Sequence, residues 1–319
     1  MTLLVMHPGA LSTVQDLGRP GYGSAGVAPS GAMDPWALRA ANVLAGNEEG
    51  AAAIEFTMRG PTIAFENEAV VALTGSRFEV SILRSVSGSA FERDVDATTA
   101  PHQSSFRLRA GESLRIGTTL GGARGYLAVR GGIDLPPTLG SRSTQVAAGL
   151  GGRVLGQGDR LETGTASDAP LRRAHLDVAY RSQLRVRAIA GPQHDIFLAG
   201  SVERFFSSPY AVTARSDRTG MRLQGPPLEL RAKPDIDPEG VVTGALQIPG
   251  DGQPILLGCD RPATGGYAKV ATVIGADMHL AAQAKPGDTL SFDRTTPEDA
   301  RAAWREREES WRRTIEDIE

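Results

Sequence analysis

Residues 254–277 read PILLGCDRPATGGYAKVATVIGAD, in which two apolar runs flank a polar, glycine-rich segment. The runs at 255–258 and 270–274 are typical of buried strands. A proline and a glycine pair between them disfavour helix and regular strand, so a loop is predicted there. The polar side chains of this stretch differ in chemistry: Asp260, Arg261, Thr264, Tyr267 and Lys269. Either they are solvated surface groups or rigid strands present them as a site, and their variety favours a site.

The composition limits the class of protein. The 319 residues suggest two domains, at about 150 residues each. The net charge of -3 comes from charges of both signs spread along the chain, so no basic face is predicted and nucleic acid is not an expected partner. No apolar run approaches the ~20 residues that span a membrane, and the first residues do not resemble a signal peptide. A single Cys, Cys259, fits a reducing compartment, and we expect a cytoplasmic protein.

The pattern along the chain predicts a mainly β protein. Its 38 Gly and 20 Pro fit many short strands joined by tight turns, as in a barrel or a sandwich. The segment 166–175 is the most linker-like, so a first domain is predicted over 1–174 and a second over 175–295. A helix is predicted over 296–319, because a threonine and a proline precede two acids there.

Four apolar side chains in this last segment lie at helical spacing: Trp304, Trp311, Ile315 and Ile318. The stripe is predicted to pack on the domain, and an interface with another chain is the alternative.

The first domain offers further candidates. Asp34 precedes Pro35 as an N-cap precedes a first-turn proline, and Gly46 supplies the stop of the predicted helix. Arg19 lies in the Gly- and Pro-rich stretch 12–30, which is either an ordered functional loop or a covering loop. Glu55 lies within an apolar strand, where a carboxylate needs a partner or a task.

Two polar features have common structural explanations. The loop 140–144 (GSRST) either binds an anion through backbone amides and Arg142 or is a plain loop, which is the more common case. Cys259 ends an apolar strand, where a buried, inert thiol is the usual finding.

Several motifs of catalysis and cofactor binding are absent from the sequence. It contains no GxxxxGK[ST], no GxGxxG that opens a helix, no CxxC, no HExxH and no G-x-S-x-G. Its five His show no metal-ligand spacing, so no metal is expected. If ATP takes part in the reaction, another chain is expected to hold most of it, and the chain is then incomplete as an enzyme.

Five separated motifs, in order, resemble one family: LSTVQDLGRPG at 11–21, PSGAMD at 29–34, SDRTGMRL at 216–223, EGVVTGALQIPGDGQP at 239–254, and DR with TGGY within 260–267. The chain resembles the KipA / allophanate hydrolase subunit 2 family up to about residue 295. Bacterial members include the C subunit of the ATP-dependent 5-oxoprolinase, and the same module forms half of the carboxyltransferase domain of urea carboxylase. The terminal helix lies outside the resemblance.

The resemblance implies a fold and partners. The fold is two tandem cyclophilin-like β-barrel domains, with a few short helices and the C-terminal helix. The partners are a KipI-like protein, which is the B subunit, and a LamB/YcsF-like protein, which is the A subunit. The implied activity of this heteromeric complex is the ATP-dependent hydrolysis of the cyclic amide 5-oxo-L-proline to L-glutamate, and the chain alone is expected to be inactive. The ATP site is not assigned to this chain.

The side chains have expected roles in that reaction. Arg218, Arg261 and Lys269 would bind anionic groups of a substrate, a phosphate or an intermediate, because such chemistry needs cations aimed at developing negative charge. Catalytic roles are predicted for Lys269 and for Asp217 and Asp260, which would orient the cations or act as a base.

Hydrogen bonds to the substrate are expected from Gln247, Thr264 and Tyr267. The first domain is expected to complete the site with Arg19 and Glu55. A turn-stabilising ion pair is the structural alternative for each neighbouring Asp–Arg pair, and it carries almost equal weight for Asp217 and Arg218.

Two other functions stay open. One is biotin-dependent carboxyl transfer to urea or a similar amide, for which a separate chain would carry the biotin. The other is a regulatory protein that binds and antagonises a KipI-like kinase inhibitor.

Overall fold

The computed structural model describes residues 1–84, 97–176, 180–231 and 235–318. The elements up to residue 174 are β1 Thr2–His7, β2 Leu11–Gln15, α1 Pro35–Ala45, β3 Ala53–Thr57, β4 Thr62–Phe65, β5 Ala69–Gly75, β6 Phe78–Leu83, β7 Ala97–Thr99, β8 Ser105–Leu108, β9 Ser113–Thr119, β10 Arg124–Val129, β11 Arg160–Glu162 and β12 Arg172–Ala174. The later elements are β13 Gln183–Ala190, α2 Ala199–Ser207, β14 Tyr210–Val212, β15 Gly220–Gln224, β16 Asp235–Gly240, β17 Ala245–Gln247, β18 Ile255–Leu257, β19 Thr264–Tyr267, β20 Lys269–Val273, α3 Met278–Ala282, β21 Thr289–Arg294, α4 Pro297–Ser310 and β22 Ile315–Asp317.

The chain forms two compact units, each made of segments that are distant in sequence. The first unit comprises Met1–Gly18, Asp34–Ala179 and Trp311–Glu319, and the second comprises Arg19–Met33 and Tyr180–Ser310. The predicted domains 1–174, 175–295 and 296–319 are continuous in sequence, and as folding domains they stay a prediction.

The first unit is built from two antiparallel sheets. Their strand orders are β11-β1-β4-β9-β6-β7 and β2-β3-β10-β5-β8. Apolar side chains of both sheets share one core, in which Phe56 and Phe78 meet edge to face with ring centroids 4.9 Å apart. Helix α1 packs on β5 and β10. Because the core covers one face of these two strands and α1 the other, all their residues are buried.

Helix α1 confirms the predicted start and stop signals. The Asp34 carboxylate accepts a hydrogen bond of 3.0 Å from the Ala37 N–H, and Pro35 is the first helical residue. Gly46 ends the helix with a φ of 85°, which a residue with a side chain adopts only with strain. The helix therefore begins and ends where local chemistry predicts.

The second unit contains a closed barrel with the strand order β13-β20-β17-β18-β15-β14-β21. The parallel pairing of β13 with β21 closes the ring. Its core includes Phe205 stacked on Phe292 at 4.7 Å. Strands β16 and β19 form a separate two-stranded ribbon outside this ring, and β19 leads into β20 through the buried Ala268.

The mainly β fold with few helices is confirmed. The barrel prediction holds for the second unit, whereas the described strands of the first unit form two sheets that share a core. Among the described residues, no helix combines the length and apolar character that crossing a membrane requires.

The C-terminal helix is present but shorter than predicted. Helix α4 ends at Ser310, a short 3-10 helix follows, and β22 then pairs antiparallel with β12. Trp311 is buried against Trp36 of the first unit, and the Arg39 guanidinium lies about 5 Å from both indole rings, at 4.9 and 5.0 Å. Trp304 lies on α4 and is 41% exposed. The expected continuous stripe is therefore divided among α4, the 3-10 helix and β22, and Ile318 lies just beyond β22.

His279 in α3 gives the second unit a pH-dependent stability. Burial and the nearby Arg307 guanidinium lower the pKa of His279 to about 3 from 6.5, while Asp277 opposes this shift. The unfolded chain therefore binds a proton where the folded chain does not. Stability that is complete above about pH 6.5 is lost as the pH falls towards 3.

We expect the free energy of unfolding to fall by up to about 1.4 kcal/mol per pH unit in this window, and His279→Gln to remove that slope. Urea titrations at a series of pH values measure it, with the exposed His175→Gln as the control variant. Equal slopes in the wild type and both variants would contradict this assignment.

Candidate functional site

The loop after β18 begins with a close approach of two backbones. A Cβ atom at Gly258 would lie 2.2 Å from the carbonyl oxygen of Arg218, so a residue with a side chain does not fit there. The Asp260 N–H donates to the same carbonyl at 3.1 Å. These contacts hold the loop beside the turn that precedes β15, and Arg218 is a residue of this turn.

Arg218 and Asp260 form a buried ion pair. The Arg218 Nε donates to Asp260 Oδ2 at 2.9 Å, and Nη2 contacts Oδ1 at 3.2 Å. Both side chains are at most 6% exposed. Arg218 Nη2 also donates to the Gly31 carbonyl at 2.6 Å, and the Ser30 hydroxyl donates to Asp260 Oδ1 at 2.8 Å. The pair therefore fixes the segment Arg19–Met33 to the barrel loop within the second unit.

The contacts of Asp260 bear on its expected role. Both of its carboxylate oxygens accept hydrogen bonds, so in this arrangement the carboxylate orients the Arg218 guanidinium, one of the two roles that we expected. The neighbouring Cys259 is buried as predicted, with its Sγ 3.0 Å from Met33 Sδ.

A second cluster surrounds Lys269, the first residue of β20. Its ammonium is buried and forms an ion pair with the Glu239 carboxylate of β16. Gln193 bridges the two residues: its Nε2 donates to Glu239 Oε1 at 2.8 Å, and its Oε1 accepts from the Lys269 N–H at 3.2 Å. The Lys269 ammonium holds the pKa of the Glu239 carboxyl below its usual value, with Gln193 as the next cause.

Gln247 of β17 lies beside Lys269, because the two residues are Cα partners in the ladder between β17 and β20. Its side chain is buried, and no group among the described residues accepts a hydrogen bond from its Nε2. A Cβ atom at Gly265 would lie 2.3 Å from this nitrogen, so the backbone of β19 directly covers the amide.

The remaining loop residues are more open to solvent. Thr264 and Tyr267 lie on β19 and are exposed. Arg261 is half-buried; its Nη1 donates to the Pro262 carbonyl at 3.0 Å, and burial lowers the pKa of its guanidinium. Its Nε is buried, and within the described part of the chain it meets no acceptor. Thr264 and Tyr267 belong to the ribbon and Arg261 precedes it, and the role of these side chains in binding stays a prediction.

Asp217 has a local structural task. Its Oδ1 accepts hydrogen bonds from the N–H groups of Thr219 at 2.8 Å and Gly220 at 3.0 Å. This is the turn-stabilising geometry that Asp commonly adopts. The Asp217 carboxylate therefore stabilises the turn through the backbone, while Arg218 pairs with Asp260. A catalytic role for Asp217 stays a prediction.

The two candidates from the N-terminal half lie in different units. Glu55 is buried in the first unit and accepts a hydrogen bond of 2.7 Å from the Tyr126 hydroxyl. Burial, followed by the charges of Glu55 and Asp34, raises the pKa of Tyr126 well above its usual value. Glu55 therefore has the partner that its burial requires. Arg19 is buried in the second unit, where its backbone N–H donates to the Pro29 carbonyl at 2.7 Å. Their roles as site residues stay predictions.

The loop 140–144 already binds an anion from within the first unit. The Asp16 carboxylate accepts hydrogen bonds of 2.6 Å from the Ser141 hydroxyl and from the Arg142 N–H, and a further bond from the Ser143 hydroxyl. The loop therefore uses its donors to hold an internal carboxylate, and the plain-loop interpretation is favoured.

Asp16→Asn is expected to lower the free energy of unfolding by about 1.5 to 3 kcal/mol, because hydrogen bonds to a buried charged group are lost. Asp134→Asn removes an exposed carboxylate that pairs with Arg142 and serves as the matched control. Denaturant midpoints of the two variants measure the difference. A midpoint for Asp16→Asn equal to that of the control would show that the loop does not depend on this carboxylate.

Three residues of these clusters were not predicted from the sequence: Ser30, Gln193 and Glu239. Each contacts a residue that is distant in the chain, so spacing alone gives no signal for them. Glu239 alternates with Asp235 and Asp237 along one strand, which is a sequence signal for a common face but not for its partner.

The two clusters differ in what they can do. Arg218 and Asp260 satisfy one another, which suits a structural or orienting task. Lys269, Gln247 and Gln193 place an ammonium and two amides together, which suits stabilising negative charge on a bound group. Within the described residues, no three or more His, Cys, Asp or Glu side chains are arranged to hold a metal ion.

Comparisons with known proteins place this architecture among carboxyltransferase domains. The family described as "Carboxyltransferase domain, subdomain A and B" matches residues 25–294. The chain is 36% identical over 305 residues to the C subunit of 5-oxoprolinase from Escherichia coli, covering 93% of each chain. It is 35% identical to urea amidolyase of Saccharomyces cerevisiae, covering 89% of this chain and 16% of that protein. The solved structure of the K. lactis urea amidolyase superposes with a TM-score of 0.89 and 30% identity, covering 99% of this chain and 20% of that chain.

Proposed function

Because the chain belongs to the family of carboxyltransferase domains with subdomains A and B, we propose that it is the C subunit of an ATP-dependent 5-oxoprolinase complex. The complex would hydrolyse 5-oxo-L-proline to L-glutamate. The observation that carries the proposal is the similarity to a 5-oxoprolinase C subunit over almost the full length of both chains. Its similarity to urea amidolyase, in contrast, covers a small part of that protein.

The proposed complex contains two further chains, a KipI-like B subunit and a LamB/YcsF-like A subunit, and this chain alone is inactive. The name of the relative describes one subunit of an enzyme, which supports an assembly of several chains. The complex as a whole would use ATP, and its ATP site is not assigned to a particular chain.

The chemistry calls for stabilisation of negative charge. The lactam of 5-oxoproline is a stable amide, and coupling to ATP would activate its oxygen before water attacks the carbonyl carbon. Hydrogen-bond donors and cations that point at the developing negative charge lower the activation free energy of this reaction. Arg261 would point at this charge, whereas Lys269 and Gln247, an ammonium and an amide on neighbouring strands, would hold an anionic group of the substrate. Thr264 and Tyr267 would bind other parts of the substrate, and Asp260 would orient Arg218.

Biotin-dependent carboxyl transfer to urea or a similar amide is the second candidate. The structural similarity to urea amidolyase over 99% of this chain favours it. In that reaction the Lys269 cluster would bind the transferred carboxylate, and a separate chain would carry the biotin.

One experiment separates the two candidates. The complex of this chain with the KipI-like and LamB/YcsF-like chains is supplied with ATP and either 5-oxo-L-proline or urea, the latter with a carboxylated biotin-carrier protein. The proposal predicts glutamate from 5-oxoproline and no carboxylated urea. Carboxyl transfer without glutamate formation would reject the proposal in favour of the second candidate.

A further inference from the structure

We propose that Lys269 and Gln247 form the binding site for a carboxylate group of the substrate. In this structure the Glu239 carboxylate of the ribbon occupies the site, and the substrate displaces it. The identity of the substrate rests on the proposed function, whereas the carboxylate chemistry rests on the residues themselves.

The two donors lie side by side on the barrel. Gln247 of β17 and Lys269 of β20 are Cα partners, and each residue is 5% exposed. A buried ammonium is costly unless an anion pairs with it. Buried amide N–H groups likewise almost always have an acceptor. A site with both donors therefore requires an acceptor group.

The anion that pairs with Lys269 comes from an exposed strand. The Lys269 side chain is 6% exposed, whereas that of Glu239 is 44% exposed and belongs to the ribbon outside the barrel ring. Water competes for a carboxylate that is so exposed, so this pair costs little to break from the Glu239 side. The cation is fixed in the barrel and the anion can be exchanged.

The amide of Gln247 has an unused donor. Its Nε2 is buried, and among the residues that the structure describes nothing accepts a hydrogen bond from it. A carboxylate has two oxygens, and each accepts hydrogen bonds. A ligand carboxylate between Lys269 and Gln247 would satisfy both donors, whereas Glu239 pairs with the Lys269 ammonium and accepts no hydrogen bond from the Gln247 Nε2.

One ribbon covers both donors. Glu239 of β16 and Gly265 of β19 are Cα partners. Glu239 covers Lys269, and the glycine backbone covers the Gln247 amide, where a Cβ atom would lie 2.3 Å from Nε2. Displacement of the ribbon would therefore open both donors together. The Gln193 Nε2 would then lose its hydrogen bond to Glu239 and would be available as a third donor.

The ligand is identified by its carboxylate, and two sources carry that group. 5-Oxo-L-proline has one, and so does the N-carboxylated donor of the carboxyl-transfer reaction. The neutral carboxamide of 5-oxoproline has none and serves to separate carboxylate recognition from recognition of the ring.

Equilibrium binding to the full chain tests the inference without ATP, turnover or other subunits. Acetate, 5-oxo-L-proline and 5-oxoprolinamide are titrated against the wild type and against Glu239→Gln, with ligand-observed NMR as the readout. Asp237→Asn removes the same charge from an exposed position of the same strand and is the matched control. Lys269→Met removes the ammonium.

We expect Glu239→Gln to tighten the binding of the two carboxylates by up to about fivefold, because an internal competitor is lost. Asp237→Asn should leave the affinity unchanged, and Lys269→Met should weaken it by about tenfold or more. The neutral amide should not bind detectably to any variant.

Three results would overturn the inference: equal affinities in Glu239→Gln and Asp237→Asn, detectable binding of the amide as tight as that of 5-oxoproline, or no carboxylate binding by any variant. Glu239→Gln changes an exposed side chain, so the test does not depend on whether Lys269→Met folds. Binding as expected, together with a complex that lacks 5-oxoprolinase activity, would reject the proposed function and leave the inference intact. Binding of acetate but not of 5-oxoproline would support the site and assign its carboxylate to another source.

Discussion

Asp260→Asn is expected to lower the free energy of unfolding by about 3 to 5 kcal/mol, because it leaves the Arg218 guanidinium buried without its counter-ion. Both side chains of the pair are at most 6% exposed, so water cannot replace the lost carboxylate. The same change weakens the attachment of the segment Arg19–Met33, since the Ser30 hydroxyl donates to this carboxylate. Urea denaturation followed by circular dichroism measures the loss.

An exposed Arg–Asp pair in the same unit provides the control. Arg185 and Asp293 pair on the surface of the barrel, with exposed fractions of 72% and 40%. Asp293→Asn is expected to cost at most about 1 kcal/mol. A double-mutant cycle with Arg218→Met should show that the double variant loses less stability than the sum of the two single losses. Equal and small effects of Asp260→Asn and Asp293→Asn would contradict a buried, interdependent pair.

Lys269→Met is expected to lower kcat/KM for 5-oxoproline by about 100-fold or more in the assembled complex. The substitution removes the cation that would hold the carboxylate of the substrate, and loss of substrate positioning commonly costs this much. The methionine side chain keeps a similar length without the charge. Steady-state formation of glutamate gives the rate, and size-exclusion chromatography shows whether the complex has assembled.

Lys285→Met is the matched control, because Lys285 pairs with Asp288 in a turn of the same unit and its side chain is 30% exposed. It should leave kcat/KM within about twofold of the wild type, since changes at exposed sites away from the ligand have small effects. If the assembled Lys269→Met complex has the same kcat/KM as the Lys285→Met complex, Lys269 is not part of the substrate site.

Features that local chemistry determines were predicted from the sequence. Asp34, Pro35 and Gly46 act within one or two turns of α1, so the start and the stop of the helix follow from neighbouring residues. The short apolar runs after Pro254 and after Ala268 are likewise strands, as short apolar runs bounded by turn residues indicate. The loop predicted between them was wrong in part, because Thr264–Tyr267 forms β19 by pairing with the distant β16.

Features that depend on distant partners could not be predicted. The helical spacing continues beyond Ser310, yet β22 pairs with β12 and Trp311 packs on Trp36. The edge of a strand and a buried aromatic partner outweigh local helix preference. The assignment of the segment Arg19–Met33 to the second unit also depends on contacts with residues beyond 200, such as the hydrogen bond from Ser30 to Asp260.

The residue types of the candidate site were predicted better than their pairing. Arg218 pairs with Asp260, 42 positions away, and not with the adjacent Asp217. The partner of Lys269 is Glu239, which precedes it by 30 positions and belongs to a ribbon that sequence patterns did not indicate. Residue chemistry can be read from a sequence, whereas the choice of a counter-ion is made by the tertiary fold.

We propose that this chain is an essential component of an ATP-dependent 5-oxoprolinase. The most direct measurement is the formation of glutamate and ADP from 5-oxo-L-proline and ATP, with the KipI-like and LamB/YcsF-like chains present and this chain either omitted or added. We predict no glutamate without this chain, none from this chain alone, and formation of both products in the complete set. A complete, assembled set that forms no glutamate, or a pair of the other two chains that forms it equally well without this one, would contradict the claim.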